Sequence, residues 1–146
     1  MAAEYSYIAT QIVAENGNVL FLEGARSCNK GLIAHRASSG VFRLKGASNA
    51  CKTIYRVTFN ANIAVAPAED GGVLGPISVA LQEDGETVGN AVAIVTPAAI
   101  GDLFNVSLTT FVVIPCGCCV KVSVESTSDG TAIEVVNANI IFERVA

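Results

Sequence analysis

From Ile54 to the end of the chain, apolar and polar residues alternate with a period of two. Tyr55, Val57, Phe59, Ala61 and Ile63 fall on one face of the first such run, and Arg56, Thr58, Asn60 and Asn62 fall on the other. Ile77, Val79 and Leu81 repeat the pattern, followed by Val120, Val122 and Val124, and then by Ala138, Ile140 and Phe142. Successive side chains of a strand point to opposite faces of its sheet, so this spacing predicts strands that each bury one face. Asn16-Gly17, Asp84-Gly85 and Asp129-Gly130 mark tight turns between runs, because these residue types accept positive φ. The predicted strands fall at 7–14, 19–22, 31–36, 41–45, 52–65, 76–82, 87–96, 104–114, 117–126 and 132–144. One helical turn is predicted at 97–103, with Pro97 at its first position. Turn signals at such regular intervals, with no long helical run between them, predict an all-β fold, an antiparallel β-sandwich. No repeat, low-complexity tract or linker interrupts the pattern, so residues 1–146 are expected to form one domain, with 1–24 a docking or edge segment.

Composition changes this picture in one respect. Hydrophobic residues make up 51% of the chain and charged residues 15%, against about 25% charged in an average soluble domain. A small sandwich with so few charges must cover itself with Ser, Thr, Asn and Gly, or bury part of its outside against other subunits. Several strands are apolar at both parities: Phe111, Val112, Val113 and Ile114 are consecutive, 91–95 is unbroken, and Val135, Val136, Ile140 and Ile141 share the last strand. Outward apolar positions call for a partner surface. Burying about 1,000 Å² of apolar area there is worth about 25 kcal/mol before entropic costs. The alternative is that these are central strands covered by loops.

Charge and targeting exclude several classes. The net charge is −4 with no basic stripe, which argues against a nucleic-acid groove that must neutralise phosphates. No run approaches the roughly 18 apolar residues of a membrane-spanning helix, and no Lys/Arg-rich amphipathic helix is present to lie on an anionic membrane. Met1-Ala2-Ala3-Glu4-Tyr5 lacks a positive start followed by an apolar stretch, so no secretory signal is expected and synthesis is expected in the cytoplasm.

No catalytic, cofactor-binding or metal-ligating set emerges. Five cysteines stand at 28, 51, 116, 118 and 119; an odd count without a signal peptide argues against a disulfide framework. Cys116-Gly117-Cys118-Cys119 lacks the second ligand pair of a zinc site, and the neighbours Cys118 and Cys119 point to opposite faces of a strand. Small apolar fillers at a strand entry are expected. His35 has no nucleophile or orienting acid in a recognisable motif, so it is expected to be solvated or at an interface. Glu69 and Asp70, with Glu83, Asp84 and Glu86, would hold calcium only if their two loops met, and the EF-hand spacing is absent. No Gly-Lys-Ser/Thr phosphate loop is present, and the absence of tryptophan weakens any sugar-stacking site. The expectation is a non-enzyme without cofactor.

The order of elements resembles the jelly roll of the tumour-necrosis-factor and complement-C1q-like superfamily. The resemblance rests on the long strand Tyr55-Arg56-Val57-Thr58-Phe59-Asn60-Ala61-Asn62-Ile63 and the acidic hairpin around Asp84-Gly85. It rests also on Phe111-Val112-Val113-Ile114-Pro115-Cys116-Gly117, and on a last strand with Asn137-Ala138-Asn139-Ile140 and Glu143-Arg144. It covers the chain from about Phe42 onward and implies a close-packed homotrimer. The interface positions expected from it are Tyr55, Val57, Phe59, Phe111, Val113, Ile140 and Phe142.

The wording also resembles small virion surface proteins of phages and prophages of gut Firmicutes. That implies a homotrimeric structural protein decorating a bacteriophage capsid or head fibre, docked on the major capsid protein or another virion protein through residues 1–12. Its expected location is the virion surface after synthesis in the host bacterial cytoplasm. The alternative is a receptor- or glycan-binding fibre tip or spore-surface head, with loops 24–30 and 66–75 making the contacts. Spore-surface heads sit on Gly-X-Y stalks, which this chain lacks, and its span from Met1 to Ala146 is expected to be a stand-alone protein.

Overall fold

The computed structural model describes residues 2–22, 26–28, 32–48 and 51–146. They form eleven strands: β1 (Ala2–Tyr7), β2 (Gln11–Val13), β3 (Arg26–Cys28), β4 (Ile33–His35), β5 (Val41–Lys45), β6 (Lys52–Val65), β7 (Ile77–Glu83), β8 (Glu86–Val95), β9 (Phe104–Pro115), β10 (Cys119–Ser126) and β11 (Ile133–Arg144). One sheet runs β3-β1-β11-β6-β9, with β2 pairing β11 beyond β1, and the other runs β4-β5-β10-β7-β8. Every pairing is antiparallel. The chain changes sheet after β3, β5, β6, β8, β9 and β10, which is the crossing pattern of a jelly roll.

The period-two pattern places the core between the sheets. Tyr55, Val57, Phe59 and Ile63 of β6 face Phe42 and Leu44 of β5, Val79 and Leu81 of β7, and Val122 and Val124 of β10; all are buried. Aromatic rings bind the layers together. Phe42 packs on Phe142 with ring centroids 4.8 Å apart, on Tyr5 at 4.8 Å and on Phe21 at 5.4 Å. Tilted and edge-on pairs of this kind add to simple area burial.

Several elements differ from the sequence expectation. The stretch 19–22 makes isolated bridges rather than a strand: Asn18 pairs with Glu125 and Phe21 with Ser39, while Phe21 is buried. Residues 97–103 form no helix. The Asp102 amide closes a single turn on the Ala99 carbonyl at 3.3 Å, and Gly101 at φ 90° ends it. Among the described residues the single short helix is instead a 3₁₀ turn at Ala68–Asp70, closed by Gly71 in the left-handed region. Residues 2–7, expected to form part of a docking segment, are an integral strand: β1 pairs along its whole length with β11 and on its other edge with β3, burying Ala3 and Tyr5. Most of loop 24–30 lies outside the described residues.

The strands give the sandwich two ends. Loops 14–18, 66–76, 96–103 and 127–132 gather at one end, here the upper end. Residues 46–48 and 116–118 and the 84–85 turn lie at the lower end.

Candidate assembly surface

Among the described residues β9 is an edge strand, paired to β6 alone. From Val106 on, its even-numbered positions, Val106, Leu108, Thr110, Val112 and Ile114, are buried, and its odd ones are exposed. Phe111 and Val113 therefore stand on the outer face, 59% and 49% exposed. Val113 lies opposite half-buried Ile54, and the Val145 amide donates to the Ile54 carbonyl at 2.9 Å. Val145 is itself exposed, so these residues form an apolar patch at the lower part of this sheet.

The register aligns the rest of the outer face in rows across β9, β6, β11 and β1. Phe111, Arg56, Glu143 and Ala2 form one row, and Arg56 and Glu143 make an ion pair. Thr109, Thr58, Ile141 and Glu4 form the next, then Ser107, Asn60, Asn139 and Ser6. Asn105 lies opposite Asn62, which it reaches by a 3.2 Å hydrogen bond from Nδ2 to Oδ1. The ion pair is half exposed and worth little to stability. Beyond the ion pair, Glu4, Lys52 and Glu134 are the charges that β1, β6 and β11 place on this face, and its other described positions there are apolar or uncharged polar. Such a face buries against a copy at small desolvation cost, since amides and hydroxyls can pair across the contact whereas isolated charges cannot.

The seven positions expected at an interface divide sharply. Phe111 and Val113 are on the outer face. Tyr55, Val57, Phe59, Ile140 and Phe142 are each 0% exposed, and a side chain with no accessible surface cannot touch another copy. This corrects the expectation: those five belong to the core between the sheets. Tyr55 is held there by its hydroxyl, which donates to the Lys45 carbonyl at 3.0 Å. Burial raises its pKa and the nearby Arg144 charge partly offsets the rise.

What the sequence reading missed is the polar half of the surface. Thr58, Asn60 and Asn62 were legible as the face opposite the core, but only the register showed Ser107, Thr109 and Asn139 continuing them across three strands. The signal was a run of uncharged rather than charged residues on a solvent-side face.

A second apolar area lies at the upper end. Val73 and Leu74 project from the β6–β7 loop, Ile100 and Leu103 from the β8–β9 loop, and Ile94 is 68% exposed near the end of β8. The four upper loops carry Glu15, Glu69, Asp70, Asp102 and Asp129 and no Lys or Arg.

The remaining candidates separate. Glu69 and Asp70 lie before β7, and Glu83, Asp84 and Glu86 at its far end, about 20 Å away at strand rise, so the two acidic loops do not meet. Among the described residues no group of three or more His, Cys, Asp or Glu converges to hold a metal. His35 is part of the packing: its Nε2 donates to the Ser39 carbonyl at 2.9 Å, and its ring stacks on Phe42 at 4.3 Å. Cys51, Cys116, Cys118 and Cys119 are exposed at the lower end rather than filling a tight strand entry. Among the described residues no helix is long and apolar enough to cross a membrane.

The architecture is an antiparallel jelly-roll β-sandwich, and its particular topology is TNF/C1q-like. The chain is similar to the TNF Eiger from S. frugiperda, with a TM-score of 0.69 and 12% identity over 100% of this chain and 92% of that one. The globular domain of zebrafish complement 1qA protein gives a TM-score of 0.63 at 12% identity, over 99% and 97%. Murine APRIL gives 0.56 at 9% identity, over 99% and 100%. At these identities the likeness is one of fold. No protein-family model matches the chain, and no curated protein matches its sequence.

Proposed function

We propose that the chain is a structural protein that assembles as a homotrimer through the outer face of the β3-β1-β11-β6-β9 sheet and decorates a bacteriophage capsid or head fibre. The observation that carries the assembly is the exposure of Phe111 and Val113 on an edge strand beside a largely uncharged sheet face. Large apolar groups set side by side on a solvent face favour a partner, and the TNF/C1q-like topology supports a three-fold arrangement of copies. The virion role is supported by the resemblance of the sequence to small phage surface proteins. In this reading the particle-side partner is the major capsid protein or another virion protein, the location is the virion surface, and the chain catalyses no reaction.

Light scattering of the purified chain at micromolar concentration tests the assembly. A mass three times 15.0 kDa is expected, and 15.0 kDa would overturn it. Cosedimentation with capsids lacking the chain tests the decoration: saturable binding supports it, and no binding overturns it.

The exposed Val73 and Leu74, rimmed by acids at the upper end, favour a second reading, in which these loops recognise a receptor or glycan at a fibre tip. Binding to host cells that Leu74→Asp abolishes would support that reading.

A further inference from the structure

Cys51 and Cys116 extend the β6–β9 ladder one step past its last pair, Lys52 opposite Pro115. The Cys116 amide donates to the Cys51 carbonyl at 2.9 Å, so the two residues face each other directly across the strands. Both are exposed and carry free thiols. Directly opposed residues at a hydrogen-bonded position have Cα atoms about 5.5 Å apart, inside the range of about 4.4–6.8 Å that a disulfide spans. Cys118 and Cys119 are placed differently. They are sequence neighbours, and Cys119 opens β10 opposite Lys45 in the other sheet.

We propose that Cys51 and Cys116 are a redox-modified pair, forming a cross-strand disulfide that staples the edge strand β9 to β6. The oxidant is a small-molecule disulfide such as oxidised glutathione. One cysteine thiolate attacks it, forming a mixed disulfide and releasing one glutathione thiolate. The other cysteine thiolate attacks the mixed disulfide at the protein sulfur and releases the second. One S–S bond is made and one broken, two electrons pass to the glutathione disulfide, and the two thiol protons end on the two glutathiones. A hydrogen-bonded position holds the Cβ atoms farther apart than a relaxed disulfide prefers, so the bond is one that thiols readily reverse. Among the described residues β9 has no second neighbour strand to resist the small shift that closure requires. The staple at Cys116 lies five residues beyond Phe111, one past the end of β9, and holds in place the strand that carries the apolar patch.

The test treats the reduced full-length chain, as a mixture of isotope-labelled and unlabelled protein, with oxidised glutathione. Non-reducing peptide mapping is expected to join the Cys51 and Cys116 peptides within single chains, with two of the five thiols lost. The Tm is expected to rise and to return on reduction with dithiothreitol. Cys51→Ser and Cys116→Ser each abolish the link and the rise, and Cys118→Ser/Cys119→Ser keeps both. Glutathione adducts on Cys51 and Cys116 without the link would overturn the proposal. So would pairing with Cys118 or Cys119, or a link joining labelled to unlabelled chains.

Discussion

Val135 and Ile140 stand five positions apart in β11, yet both point into the core and neither has exposed surface. An odd separation in a regular strand would set them on opposite faces. The register explains the exception: Val136 pairs with Asn62 and Asn139 with Asn60, so two residues of β11 oppose one of β6. Asn137, at φ 55°, is the extra residue of this bulge. The apolar residues at both parities of this strand are thus partly one buried face that changes phase, rather than two apolar faces.

Removing Asn137 is therefore expected to leave Ala138 opposite Ala61 in an uninterrupted ladder, with Ala138, Ile140 and Phe142 still facing inward. The deletion variant is expected to keep a cooperative thermal transition, because no large side chain leaves the core. Asn137→Gly keeps the left-handed conformation and is expected within about 0.5 kcal/mol of the parent, whereas Asn137→Val strains it by about 1–3 kcal/mol. Chemical denaturation ranks the three.

Phe111→Asp and Phe59→Asp separate surface from core. Phe111 is 59% exposed and Phe59 is 0% exposed. The first variant is expected to fold and to run in light scattering as a 15.0 kDa monomer. The second is expected to fail to fold, since a carboxylate cannot be solvated between the sheets.

Two glycines of one loop differ in what surrounds them. A Cβ on Gly72 would collide with the Ala66 carbonyl, whereas one on Gly75 would meet nothing. Gly72→Ala is expected to destabilise by about 1–3 kcal/mol, and Gly75→Ala to change Tm little, as equilibrium unfolding would show.

Burial, and secondly the Asp84 charge, raise the Glu83 pKa above its ordinary value of 4.5. The folded chain therefore holds this proton more tightly than the unfolded chain, and ionised Glu83 opposes folding. The penalty is absent below 4.5, grows as pH rises through the folded-state value, and is complete above it. Glu83→Gln is expected to raise the Tm at neutral pH by a small amount, less than about 1 kcal/mol because the group is partly solvated. No gain is expected near about pH 4. Thermal melts across that range measure the difference.

Much of the architecture was legible in the letters. The Asp84-Gly85 turn adopts the positive φ its residues favour, 51° and 85°, and β6 buries the face that Tyr55, Val57 and Phe59 mark. The assembly surface was less legible. The search for contact residues followed hydrophobicity, and five of the seven chosen positions are the ones the core claims first.

Alternation is a local property, and it alone determined that the chain forms strands, where they turn, and which residues share a face. It left open which face of an all-apolar stretch such as Phe111 to Ile114 turns inward, which strand ends at an edge, and which residues far apart in sequence stand opposite each other. Those depend on pairing between distant segments. The tertiary structure decided that Val112 and Ile114 go in while Phe111 and Val113 go out. It placed Asn137 in a bulge, and it brought Cys51 across from Cys116. The physical reason is that a strand's neighbours, not its own residues, fix its register and its inward side.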